Sequence, residues 1–139
     1  PNWKDFGFEE IDKWHKDRGF KSTFEIDGTP VTVHCGYHLI FRRDGSVEQG
    51  RPDYVRGAHA RSDGHNINSL GWVYVGMDKM TPQQVQSLII EYSRAAKIYK
   101  IIPDYFIGHY ETGAPKTCPN QDMEVLRRLL WEATGGKVY

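Results

Sequence analysis

A chain of 139 residues with 39% hydrophobic and 13% aromatic content holds enough apolar side chain for one core and too little for two. Eighteen basic side chains balance eighteen acidic ones, which excludes a global field drawing the protein to nucleic acid or to an anionic membrane surface. No apolar run approaches the roughly 18 residues a spanning helix needs, and the N-terminus lacks the order of a signal peptide, so a soluble protein without membrane insertion or an export address is expected. Cys35 and Cys118 sit in different contexts and a core of this size does not depend on a staple, so no structural disulfide is expected.

The first element is an amphipathic helix. In "FEEIDKWHKDRGF", Phe8, Ile11, Trp14 and His15 fall on one face at spacings of three and four, and Gly19 is placed to cap the C-terminus. The next stretch, "STFEIDGTPVTVHCGYHLIFRRDGSVEQGR", is rich in β-branched and aromatic residues and is interrupted at Asp27-Gly28 and Asp44-Gly45. These turn signals predict two successive hairpins that share a long middle strand over 31–42.

Residues 52–69 have no sustained period and read as a long surface loop of the kind that carries function in small domains. The following "LGWVYVG" is a nearly continuous apolar run, which predicts a strand covered on both faces in the middle of the sheet. A second helix opens at "TPQQ", with Thr81 as N-cap, Pro82 at the first helical position and Gln84 where a capping box requires it. Its stripe is Val85, Leu88, Ile89, Tyr92, Ala96 and Tyr99. "DYFIGH" is expected to be a short strand ending at His109, and "NQDMEVLRRLLWEAT" a last helix stopped by Gly135-Gly136. The fold class is therefore α/β, a single domain with a central mixed sheet flanked by helices.

His109 and Cys118 bracket the turn "GAPK" ahead of that helix. Imidazole nitrogen and thiolate sulfur suit zinc, which takes three protein ligands and a water when catalytic. Spacing alone leaves this reading level with another, in which His109 caps a strand and Cys118 is a small buried residue.

The pieces "IDKWHKDRGF", "GYHLIFRRDGSVEQGR", "GAHARSDGHNINSLGWVYVG", "TPQQVQSL" and "GHYETGAPKTCP", in this order, cover nearly the whole chain. Together they resemble the zinc-dependent N-acetylmuramoyl-L-alanine amidases of the phage endolysin type, relatives of the peptidoglycan recognition proteins. The resemblance implies a hydrolase of the amide between N-acetylmuramic acid and L-alanine in peptidoglycan, made in the cytoplasm and acting at the cell wall. It implies zinc ligation by His109 and Cys118 and catalytic support from Tyr37 and Lys116. His59 then matches a histidine on the cleft rim that contacts substrate, and Asn68 lies in the matching "NSLG" turn, as a substrate contact or a shaper of the turn. Some phage amidases also regulate a polymerase, so a polymerase partner is implied by resemblance alone.

The family's third zinc ligand is a histidine on a strand preceding the first helix, and this chain begins after that strand. The 1–139 domain is thus expected to lack the family's first strand and to carry an inserted hairpin at about 21–35. "VTVHC" within that hairpin resembles the absent segment, making His34 a candidate third ligand; strand alternation requires a bend at Gly36 if His34 and Tyr37 are to share a cleft. A domain that had lost the metal would instead be a non-catalytic peptidoglycan-binding module. His15 and His65 read as helix-face and loop residues and His38 as packed in the sheet, none with an assigned role.

Overall fold

The computed structural model describes residues 5–59, 66, 68–76, 79–108 and 122–137. Helix α1 (Phe8–Asp17) is followed by strands β1 (Ser22–Ile26), β2 (Thr29–Val33), β3 (Leu39–Phe41), β4 (Val47–Gln49) and β5 (Trp72–Tyr74). Helix α2 (Pro82–Tyr99), a 3₁₀ turn at Pro103–Tyr105 and helix α3 (Met123–Ala133) complete the order. β1 and β2 form a two-stranded antiparallel sheet of their own; the second sheet has the order β4-β3-β5, antiparallel on one side of β3 and parallel on the other. The mixed α/β class agrees with expectation.

β3 organises the core by strict alternation. Leu39 and Phe41 face Leu88 of α2 and Met123 and Leu126 of α3, whereas Ile40 faces Ile11 of α1, Val33 and Val75. All three residues of β3 are buried, so the sheet is packed on both sides, α1 with the hairpin on one and α2 with α3 on the other. Tyr92, Ala96 and Leu130 close the seam between the two later helices.

Three sequence expectations are corrected. The long middle strand over 31–42 is broken: β2 ends at Val33 and β3 begins at Leu39, because residues 34–36 give their amide hydrogens to side chains of α1 instead of to a strand. Among the described residues β3, not the 70–76 run, has neighbours on both sides; β5 pairs only with β3, though both its faces are packed, with Val73 toward α1 and Trp72 and Tyr74 toward α2 and α3. "DYFIGH" opens not as a strand but inside a 3₁₀ turn over residues 103–105, closed by bonds from Tyr105 N to Ile102 O and Phe106 N to Pro103 O. Pro103 presets that turn and cannot donate to a ladder.

The turn and cap signals act as expected. Asp27 and Gly28 both adopt positive φ, 49° and 79°, joining β1 to β2 in the two-residue loop that a right-twisted hairpin favours. Gly19, at φ 84°, follows the last turn of α1, and Gly135 and Gly136 follow α3 at 66° and 69°. Trp14, on the expected apolar face of α1, is 49% exposed, while His15 is buried.

Gln84 does more than cap. Its Oε1 accepts from Thr81 N at 2.8 Å, and its Nε2 donates to Phe41 O at 3.0 Å and Val75 O at 2.9 Å, all in a fully buried position. The start of α2 is thereby tied to the ends of β3 and β5. Replacing Gln84 with Leu leaves these groups without their partner and is expected to cost about 2–3 kcal/mol of stability by urea denaturation at unchanged m, whereas Gln86→Ala on the exposed face stays within about 0.5 kcal/mol.

Candidate functional site

Residues 34–38 form a polar turn between the two hairpins, held by a set of hydrogen bonds to its backbone. The Asp12 carboxylate accepts from His34 N at 2.7 Å and Cys35 N at 2.8 Å, and His15 Nδ1 accepts from Gly36 N at 2.8 Å. On the other side, buried Arg51 donates from Nε to Cys35 O at 2.8 Å and from its backbone N to Tyr37 O at 2.9 Å. The segment is thus clamped between α1 and the chain leaving β4.

The same turn gathers part of the 52–59 loop. Ala58 N donates to Gly36 O at 3.0 Å, and a Cβ on Gly36 would come within 2.0 Å of Ala58 O, so only glycine allows this approach. The adjacent His59 packs its ring on the Cα atoms of Gly57 and Gly71, where a Cβ would lie 2.4 and 2.3 Å from it, and edge-on to His38 at 5.9 Å between centroids. Asn66 fixes the loop by accepting from His59 N through Oδ1 at 2.9 Å and from Gly57 N through its carbonyl at 3.1 Å.

Of the residues expected from sequence, Tyr37 and His59 are therefore brought into one hydrogen-bonded unit. Tyr37 is half-buried, its ring 5.4 Å from that of His15. His34 belongs to the same turn; its Nδ1 lies 2.8 Å from Phe20 O, and since a carbonyl only accepts, Nδ1 carries a proton and donates it there, so any acceptor or ligand role of this ring falls to Nε2. Because 34–38 is not a strand, alternation no longer separates His34 from Tyr37. Asn68 is exposed. His109, Lys116 and Cys118 lie outside the described residues. Among the described residues no group of three or more His, Cys, Asp or Glu side chains is arranged to hold a metal ion, and no helix is long and apolar enough to cross a membrane.

The comparisons with known proteins agree with this architecture. A family model described as N-acetylmuramoyl-L-alanine amidase matches residues 7–121. The endolysin of Escherichia phage T7 is 35% identical over 130 residues, which cover 85% of this chain and 72% of that protein. That of Enterobacteria phage K11 is 33% identical over 141 residues, covering 94% and 78%.

The chain belongs to the N-acetylmuramoyl-L-alanine amidase family.

Among solved structures, the N-acetylmuramoyl-L-alanine amidase LysC from Clostridium intestinale URNW superimposes with a TM-score of 0.66 at 27% identity, covering 90% of this chain and 76% of that one. As a member of this family the chain is a peptidoglycan hydrolase, and the family's chemistry is that of a zinc-dependent amidase.

Three groups around the amidase's Tyr37 were not singled out by sequence reading. Asp12 and His15 look like a polar and an apolar-face residue of an amphipathic helix, and Arg51 like a solvated charge. The signal that could have found them is the pair of polar residues one turn apart on the buried side of α1, opposite a Gly-Tyr-His segment that needs partners for its amides. His38 is not simply packed: its Nδ1 accepts from Gly71 N at 2.9 Å and its Nε2 donates to Val55 O at 2.7 Å. Burial pushes the Cys35 thiol up to about 11, so this cysteine is an inert core residue and not a nucleophile.

Burial, with smaller help from Arg18 and Arg51, lowers the pKa of His15, and burial lowers that of His38 against the opposing pull of its bond to Val55 and of Asp53. Both are therefore neutral in the folded state near pH 7. As pH falls below the ordinary value of 6.5, the unfolded chain takes up protons at these two sites first, so stability drops with falling pH. Thermal melts from pH 7.5 to pH 5 are expected to show Tm falling, with a shallower slope in His15→Asn; equal slopes in the two proteins would contradict the assignment.

Proposed function

We propose that this amidase cleaves the bond between the lactyl carbonyl of N-acetylmuramic acid and the amino group of L-alanine, with a zinc ion held by His109, Cys118 and His34. The observation that carries the proposal is the clamped 34–38 turn, which holds Tyr37 on a rigid support and bonds through Gly36 to the loop that carries His59, as an active site requires. His34 fits a ligand's requirements in one respect: its Nδ1 proton is committed to the Phe20 carbonyl, the arrangement that orients a metal-binding imidazole and leaves Nε2 available. His109 and Cys118 complete a nitrogen and sulfur donor set of the type zinc prefers.

Zinc in such a site supplies Lewis acidity and brings the pKa of water toward neutrality. The chain's own residues then do the following work. Tyr37 donates a hydrogen bond that orients the attacking water, and Lys116 offers its ammonium to the oxyanion of the tetrahedral intermediate. His59, ordered by Asn66 and packed on two glycines, lines the muropeptide cleft. Asn68, exposed at the end of the same loop, is a further substrate contact. The β1–β2 hairpin, an insertion relative to the family pattern, forms a sheet of its own and rims the cleft.

Digestion of purified sacculi is expected to release stem peptides with a free L-alanine amino terminus while leaving glycan strands intact, read by mass spectrometry. New reducing ends with no free alanine would refute the bond assignment. His109→Ala and Cys118→Ala should each lower activity by at least about 10³-fold and zinc content well below one per chain. His34→Ala should lower zinc retention as well; unchanged zinc in that variant removes His34 from the ligand set. A wild-type protein that binds sacculi, holds no zinc and releases nothing would instead be a binding module.

A further inference from the structure

The bond from Gly36 N to His15 is not what packing alone would select. An apolar aromatic at position 15 would fill the same space between Phe20, 5.1 Å away, and Tyr37, 5.4 Å away. What the imidazole adds is an acceptor at Nδ1 for the amide hydrogen of Gly36, the residue before Tyr37. The two amides before it are held by Asp12 and the carbonyls on either side of it by Arg51 and Ala58. His15 therefore fixes the Cys35–Gly36 peptide, one residue ahead of Tyr37, and, through ring contact, the side chain itself.

We infer that His15 is a positioning residue for Tyr37, setting the direction of the phenol through the Gly36 amide and the face of its ring. This inference rests on the reading of Tyr37 as a catalytic group. It assigns a purpose to a buried histidine on α1. Asp12 secures the same turn at the two preceding amides, where its Oδ1 accepts from His34 N and Cys35 N.

The test compares His15→Phe, which keeps a ring and loses the acceptor, with His15→Asn, whose Oδ1 can occupy the place of Nδ1. In the zinc-loaded enzyme His15→Phe is expected to lower kcat by at least about tenfold with KM within about twofold, and His15→Asn to restore kcat to within about threefold of wild type. Placed in a Tyr37→Phe background, His15→Phe should cost less than about twofold more, since both changes remove one function. Wild-type kcat in His15→Phe, beside an impaired Tyr37→Phe, would overturn the inference and leave the Tyr37 reading intact. Wild-type kcat in Tyr37→Phe would overturn both. A full additional loss in the double variant would show that His15 acts independently of Tyr37 and would also overturn it. Should His15→Phe fail to fold, the ¹⁵N shifts of the wild-type imidazole decide: an unprotonated Nδ1 coupled to the Gly36 amide is expected, and a protonated Nδ1 overturns the inference.

Discussion

The structure depends on a change of hydrogen-bond partner at one place in the chain. At Val33 the backbone stops pairing with a strand, and for the next residues its amides are taken by Asp12 and His15 of α1. Buried amides must go somewhere, and the choice of helix side chains over a ladder has two consequences. It separates the β1–β2 hairpin from the main sheet, and it turns the Gly-Tyr-His segment so that Tyr37 stands against α1 while His38 points into the loop side of the sheet.

The polar groups that hold this turn are neutral where they are most enclosed. His15 and His38 are each kept uncharged by burial and each accept an amide through Nδ1, from Gly36 and Gly71. Neutral imidazoles suit this purpose because they offer one donor and one acceptor without the desolvation cost of a full charge. Arg51 is the charged exception, and it is spread over the carbonyls of Cys35 and Arg56. Glycines at 36, 50, 57 and 71 allow the backbones and rings involved to approach within distances a side chain would forbid. Tyr37 and His59 share one support because of these contacts, not because of nearness in sequence.

Much of this fold was legible beforehand because its signals are local. The Thr81-Pro82-Gln84 cap, the Asp27-Gly28 turn and the paired glycines after α3 each state their geometry within a few residues. What was not legible depended on long-range partners. The apparent strand over 31–42 has high β-propensity on both sides of Gly36, and what ends it there is the position of Asp12 and His15 on another element. The "DYFIGH" segment has the composition of a strand, yet Pro103 commits its first two residues to a 3₁₀ turn. In the site, Tyr37 and His59 were named from family motifs, while His15, Asp12 and Arg51 could not be, since each looks ordinary until its partner is known. His109, Lys116 and Cys118 are legible only through the motif that carries them.

In the proposed enzyme the turn pinned by α1 brings Tyr37 to a zinc site completed by the segment carrying His109 and Cys118. Diffraction from zinc-loaded crystals across the zinc absorption edge tests this arrangement most directly. A single anomalous peak is expected within bonding distance of His109 and Cys118, with the Tyr37 hydroxyl facing it and His15 Nδ1 still joined to Gly36 N. A peak held by other side chains, or Tyr37 turned away from the metal with that bond intact, would contradict the arrangement.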